Sequence, residues 1–189
     1  MNIQPESDYI SVEEYITGEQ EGETRHEYIN GIIHAMSGAS ANHNLISGNL
    51  FVLLHAAGRP TSCQVFMADM KVHLNIAGKD IFYYPDILVS CDPDDKETYF
   101  RKNPCLIVEV LSPTTERIDR REKFLAYTSI KTLQEYVLVS QEQQAVTLFR
   151  RTNDWKPEPF GADDNLILDC LNCDLSVAEI YEDIQLMES

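Results

Sequence analysis

Two near-continuous apolar runs, residues 81–91 (IFYYPDILVSC) and 105–111 (CLIVEVL), each carry one carboxylate, Asp86 and Glu109. Runs of this kind read as strands covered on both faces, as when helices pack on each side of a sheet. Burying an unpaired ion costs several kcal/mol even after relaxation, so each carboxylate needs a cation, a proton or a dense set of hydrogen bonds. A single buried carboxylate is commonly half of a structural ion pair. Two on neighbouring core strands call for a shared partner, and a divalent metal is the economical one. Pro85 cannot donate to a sheet ladder, so the first run should bulge or follow a sheet edge just before Asp86.

Around these runs the pattern alternates between helix and strand. Ser11-Val-Glu-Glu14 is a capping box that starts a first helix. Asn30-Gly31 joins two strand-like stretches into a hairpin that sets Ile29 opposite Ile32 and Glu27 opposite His34. A helix is expected over 40–57, with Ile46, Leu50, Leu53 and Ala57 at helical spacing and Gly58-Arg59-Pro60 ending it. Residues 64–74 alternate, with Phe66, Ala68, Met70, Val72 and Leu74 on one face and Asp69, Lys71 and His73 on the other. Asp69 and Lys71 read as a pair with each other. A charged loop separates the two apolar runs. An amphipathic helix follows near 117–129 with Phe124 and Tyr127 inward; 135–140 and 146–150 form a closing hairpin, and Ser176-Val-Ala-Glu179 caps a short terminal helix. Interleaved helices and strands predict an α/β layered fold with a central mixed sheet. No repeat or linker divides the chain, so residues 1–189 are read as one domain.

Bulk properties narrow the function. The N-terminal segment lacks the basic and apolar regions of a signal peptide, and no window approaches a membrane span, which predicts a cytoplasmic location. Five cysteines, Cys63, Cys91, Cys105, Cys170 and Cys173, predict reduced, buried thiols rather than a disulfide framework. Cys170-Leu-Asn-Cys173 has no second pair and no nearby His, so it is not read as a zinc or redox motif. A formal charge of −16 opposes contact with nucleic acid unless cations are concentrated locally. They are concentrated over 117–131, where Arg117, Arg120, Arg121, Lys123 and Lys131 outnumber Asp119 and Glu122. His34 and His43 read as packing or capping residues, and no histidine cluster suggests zinc.

The order Pro85-Asp86, then Glu109, then a downstream lysine resembles the PD-(D/E)XK superfamily. The segments RHEYINGIIHAMSGAS (25–40), NHNLISGNL (42–50), DMKVHL (69–74), YYPDILV (83–89), LIVEVLSPTTE (106–116), DRREKFLAY (119–127) and LQEYVLVS (133–140) together resemble the Uma family of restriction-endonuclease-like proteins. That resemblance implies a restriction-endonuclease-like fold with an N-terminal hairpin. It also implies a metal shell of Glu27, Asp86 and Glu109. The superfamily lysine usually sits two residues after the acidic strand residue, and here that place holds Leu111. The resemblance moves the role to Lys123 on the following helix, giving Asp86, Glu109 and Lys123 as the catalytic set.

The chemistry so implied is Mg²⁺-dependent hydrolysis of DNA phosphodiesters, with Mn²⁺ as a substitute and Arg117, Arg120 and Arg121 on flanking phosphates. The expected partners are DNA, bound weakly and with strong salt dependence, and a second copy of the chain. Two rivals stand beside this reading. One is a nuclease-fold interaction protein that has lost catalysis, for which Leu111 is the motive. The other is a hydrolase of small phosphate esters, for which an acidic surface is less of a handicap.

Overall fold

The computed structural model describes residues 9–113 and 115–186. Residues 1–8, Thr114 and 187–189, which hold parts of the N-terminal segment and of LIVEVLSPTTE, lie outside the described residues. Helix α1 (Val12–Glu21) starts at Ser11, whose N–H and hydroxyl both donate to the Glu14 carboxylate, at 2.8 and 2.6 Å. Strands β1 (His26–Ile29) and β2 (Ile32–Ala35) pair in the expected register, Ile29 opposite Ile32 and Glu27 opposite His34. The turn uses positive φ at Asn30 and Gly31, +48° and +94°. Helix α2 (Ala41–Gly58) is capped by Ser40, and its buried stripe is Ile46, Leu50 and Leu54. Leu53 and Ala57 are only partly covered, because the helix turns its 46-50-54 ridge to the sheet.

The alternating stretch 64–74 is not one strand. It splits into β3 (Gln64–Met67) and β4 (Lys71–Ile76), which belong to different sheets, with Ala68 at φ +56° turning the chain between them. The run 81–91 divides in the same way, into β5 (Lys79–Tyr83) and β6 (Ile87–Ser90). Pro85 lies in the passage between the two sheets, so neither ladder loses a donor. Short β7 (Phe100–Arg101) pairs with β4, and β8 (Leu106–Leu111) is buried along its whole length. Next comes one helical segment in three parts: α3 (Glu116–Ile118), a π-helical turn over Asp119–Lys123, and α4 (Phe124–Thr128). Strands β9 (Glu135–Ser140) and β10 (Val146–Arg150) form the closing hairpin. Strands β11 (Pro157–Phe160), β12 (Asn165–Leu168) and β13 (Cys173–Ser176) and helix α5 (Val177–Ile180) complete the chain.

The result is a mixed α/β fold. A six-stranded mixed sheet, in the order β11-β10-β9-β8-β6-β3, lies beside a five-stranded sheet, β2-β1-β5-β4-β7. In the larger sheet β8 pairs antiparallel to β6 and parallel to β9. Strand periodicity sends Leu106, Val108 and Val110 to the core shared with α2, and Ile107 and Leu111 to a second core with Tyr83, Tyr127 and Leu138. The second face is therefore closed by the smaller sheet and α4 together, not by helices alone.

Candidate metal and phosphate site

Glu109 lies between Ile107 and Leu111 and so points into the second, aromatic-lined core, where it is 3 % exposed. Asp86 ends the passage between the sheets. The pairing Ile87↔Val108, carried one residue further, sets Asp86 opposite Glu109. The hydrogen bonds agree. The Asp86 N–H donates to Glu109 Oε2 at 3.4 Å, and the Val110 N–H donates to Asp86 Oδ2 at 2.7 Å.

Three elements then converge on one ammonium. Lys123 Nζ lies 3.0 Å from Glu27 Oε1, 3.1 Å from Glu109 Oε1 and 3.4 Å from Asp119 Oδ1. Glu27 comes from the hairpin, Glu109 from the central strand, and Asp119 and Lys123 from the two ends of the π-helical turn. Such turns are often found at functional sites. Here it carries Asp119 and Lys123 inward while the intervening arginines stay outside. Tyr127 donates to Glu109 Oε1 at 2.9 Å, Tyr136 donates to the Asp119 carbonyl at 3.1 Å, and the Tyr83 ring lies 5.5 Å from the ammonium. His43, near the start of α2, reaches Asp86 Oδ2 at 3.3 Å.

The electrostatics follow from burial and from an excess of anions. Burial drives the Glu109 carboxyl well above the usual carboxylate range; Lys123 opposes this, and Asp119 and Asp86 reinforce it. Asp119 is raised in the same way, burial outweighing Lys123. Burial alone would lower Lys123, but Glu109, Glu27 and Asp119 hold it well above its ordinary value, so the ammonium stays charged. For His43 burial is overcome by the Asp86 carboxylate, and its pKa is raised.

Glu27, Asp86, Glu109 and Lys123 are thus brought together. Sequence reasoning misses two members of the cluster. Asp119 has the spacing of an ordinary i,i+4 surface pair with Lys123. His43 reads from sequence as a packing or capping residue, yet Ser40 caps the helix and His43 faces Asp86. Asp69 and Lys71 do not pair with each other. Asp69 meets Arg25 at 3.3 Å, and Lys71 donates to the Tyr84 hydroxyl at 3.1 Å. Arg117, Arg120 and Arg121 are exposed, and Arg120 is already paired with Glu116 at 2.7 Å.

The residues present suit a hard divalent cation. Three carboxylates, Glu27, Glu109 and Asp119, contact the one Lys123 ammonium, and Asp86 lies beside Glu109. Among the described residues the buried Asp119 Oδ1 atom accepts no hydrogen bond and is met by Lys123 in ion-pair contact. Oxygen donors in excess of cations are what Mg²⁺ and Mn²⁺ require. Asp86 and Glu109 would hold such an ion, with Glu27 beside them through Lys123.

The family model described as "Uma2: Putative restriction endonuclease" matches residues 12–179. Two uncharacterised proteins of Synechocystis sp. PCC 6803 are similar. One, slr1290, is 38 % identical over 177 residues, covering 91 % of this chain and 91 % of its own. The other, sll1609, is 34 % identical over 148 residues, covering 77 % and 82 %. A crystal structure described as a putative nuclease belonging to DUF820, from Anabaena variabilis, superposes with a TM-score of 0.71 at 18 % identity, covering 91 % of this chain and 97 % of that one. At that identity the likeness speaks for the fold.

Proposed function

This chain belongs to the Uma2 family, and on that footing we propose that it is a metal-dependent endonuclease hydrolysing DNA phosphodiester bonds at the Asp86–Glu109–Lys123 cluster. One observation carries the reading: a buried lysine from the helix after β8 puts its ammonium 3.1 Å from Glu109, although Leu111 occupies the place such a lysine usually takes. The function lost from position 111 is supplied by Lys123.

Asp86, Glu109 and Glu27 would hold the cation, Mg²⁺ in the first instance with Mn²⁺ as substitute. Held by these residues, a divalent ion would supply Lewis acidity and make water more acidic at the site. Lys123, kept charged by its three carboxylates, cannot serve as a base near neutral pH. It acts as a fixed cation that steadies negative charge developing on the phosphoryl oxygens. Tyr127 fixes Glu109 by donating to Oε1, which leaves Oε2 for the side shared with Asp86. His43 orients Asp86 in the same sense. Arg117 and Arg121 offer exposed cations to flanking phosphates, while Arg120 must first leave Glu116. The remaining surface, at −16 overall, keeps the interaction weak and dependent on low salt.

A plasmid-nicking assay with Mg²⁺ or Mn²⁺ tests this. The parent should convert supercoiled to open-circular DNA, and Asp86→Ala and EDTA should each stop it. Metal binding with no cleavage by the parent would favour the interaction-protein reading. Turnover of nucleotides but not of plasmid would favour the small-ester hydrolase.

A further inference from the structure

The four cysteines Cys63, Cys91, Cys105 and Cys170 come from four separate segments and meet at one end of the larger sheet. Cys63 precedes β3, Cys91 follows β6, Cys105 precedes β8, and Cys170 lies in the turn between β12 and β13. The pairing Gln64↔Ser90, continued outward, sets Cys63 against Cys91. The Cys105 N–H donates to the Val89 carbonyl at 2.8 Å, which brings Cys105 beside the same strand end. The sulfurs are joined as Cys63–Cys91 and Cys105–Cys170, and only Cys173 is free. The expectation of five separate reduced thiols is therefore overturned. Cys170 is joined to Cys105 and not to Cys173, so the CxxC segment does not pair with itself.

Proximity goes further than pairing requires. Cys91 Sγ lies 3.4 Å from Cys105 Sγ and 3.9 Å from Cys170 Sγ, across the two disulfides. The sulfurs of Cys91, Cys105 and Cys170 all fall within 4.8 Å of one another. A tetrahedral zinc–thiolate centre has Zn–S bonds of about 2.3 Å, which makes each S···S edge about 3.8 Å. The two cross-pair distances already bracket that edge. The surroundings suit a closed site: Cys105 is buried and the other three pack half-buried against the α2 core. The turn bearing Cys170 is fixed, because the Asp169 and Cys170 N–H groups donate to Glu135 at 2.9 and 3.0 Å. Arg150, which contacts both Glu135 and Asp169, offsets the carboxylate charge beside the sulfurs.

We propose that the reduced protein holds one Zn²⁺ in a tetrathiolate site formed by Cys63, Cys91, Cys105 and Cys170. The ion tethers the β3, β6 and β8 ends to the β12–β13 turn. Each disulfide is opened by one equivalent of a dithiol reductant, giving two protein thiols and the oxidised, cyclic reductant. Zn²⁺ then displaces the four thiol protons and is itself neither oxidised nor reduced. Four protein ligands leave no open position, so the site is structural. It is also separate from the carboxylate cluster. Cys105 and Glu109 are four residues apart on one extended segment, about 13 Å, and soft sulfur and hard oxygen donors select different metals.

The test needs no nuclease readout. The full chain is purified under a dithiol reductant without chelator, then assayed for zinc by mass spectrometry and for thiols after denaturation. About one Zn²⁺ per chain and five titratable thiols are expected. Replacing zinc by Co²⁺ should give the intense sulfur-to-metal charge-transfer bands of a tetrahedral cobalt thiolate. Cys63→Ser, the more accessible change, and Cys91→Ser should each lose those bands, and Cys173→Ser should keep them. The parent spectrum alone serves if a variant does not fold. Fully reduced parent that takes up neither Zn²⁺ nor Co²⁺ would overturn the proposal. So would disulfides that persist under the reductant, or metal uptake that both Cys63→Ser and Cys91→Ser retain.

Discussion

Lys71 and Lys123 are almost equally buried, at 5 % and 6 % exposure, yet their surroundings drive them in opposite directions. Burial lowers the pKa of Lys71 and its neighbours do not reverse it, whereas three carboxylates raise Lys123 well above its ordinary value in spite of burial. Lys71 donates to the Tyr84 hydroxyl, Tyr84 donates to Glu19 at 2.6 Å, and Glu19 also meets His26 at 3.0 Å. That network has one carboxylate for one ammonium and ties α1 to the smaller sheet. Around Lys123 the carboxylates are in excess, and one of their buried oxygens accepts no hydrogen bond among the described residues. Burial of a lysine is thus common to a structural tie and to a candidate site. The surplus of anions separates them.

The difference between the two lysines is broken most readily by substitution. Lys123→Ala, assayed well below its melting temperature, should lower metal-dependent cleavage by about 10²–10³-fold, the usual loss for a group that stabilises transition-state charge. Lys123→Arg should restore only part of it, since a planar fork does not replace a compact charge. Lys71→Met should cleave as the parent does; a comparable loss there would erase the distinction. For stability the order reverses in kind. Lys71→Met removes a buried donor and should cost about 1–3 kcal/mol in denaturant unfolding, with no sensitivity to added metal.

A pH profile sharpens the contrast. The folded Glu109 carboxyl sits above the ordinary value of 4.5, chiefly through burial. Folded chains therefore keep a proton that unfolded chains release, and stability falls as pH rises from that value through the folded pKa. In EDTA the parent should lose melting temperature across this window, and Glu109→Gln should flatten the slope. Parallel profiles for the two would show that Glu109 is not the group responsible. The smallest effect is expected at the surface. Arg117→Ala and Arg121→Ala should each weaken DNA binding a few-fold. Each should also flatten the salt dependence by about one counterion, as expected when one phosphate is no longer neutralised.

The site is legible in the sequence wherever a residue contradicts its setting. Glu109 and Asp86 stand out as carboxylates in apolar runs, and Asn30-Gly31 fixes the register that brings Glu27 in. Lys123 comes from family resemblance and not from spacing. Asp119 is invisible because a π-helical turn shifts the face on which a residue lies, and helical periodicity cannot show that shift. The sheet breaks are equally hidden. Alternation runs through Ala68 without interruption, and its positive φ has no turn residue to announce it. Pro157 and Pro159 argue against a strand at β11, but it lies at the edge of its sheet, where proline is tolerated. The sulfur cluster depends wholly on tertiary convergence of segments up to 107 residues apart (Cys63 to Cys170), which no local pattern records.

The most direct test of a hard-metal site between Asp86 and Glu109 is a crystal of the parent soaked in Mn²⁺ and measured for anomalous scattering. One peak within about 2.0–2.6 Å of carboxylate oxygens from both residues is expected, absent from Asp86→Ala and Glu109→Gln. Manganese bound only elsewhere, with Lys123 still closing the three carboxylates on itself, would contradict the assignment and leave the cluster a buried ion-pair network.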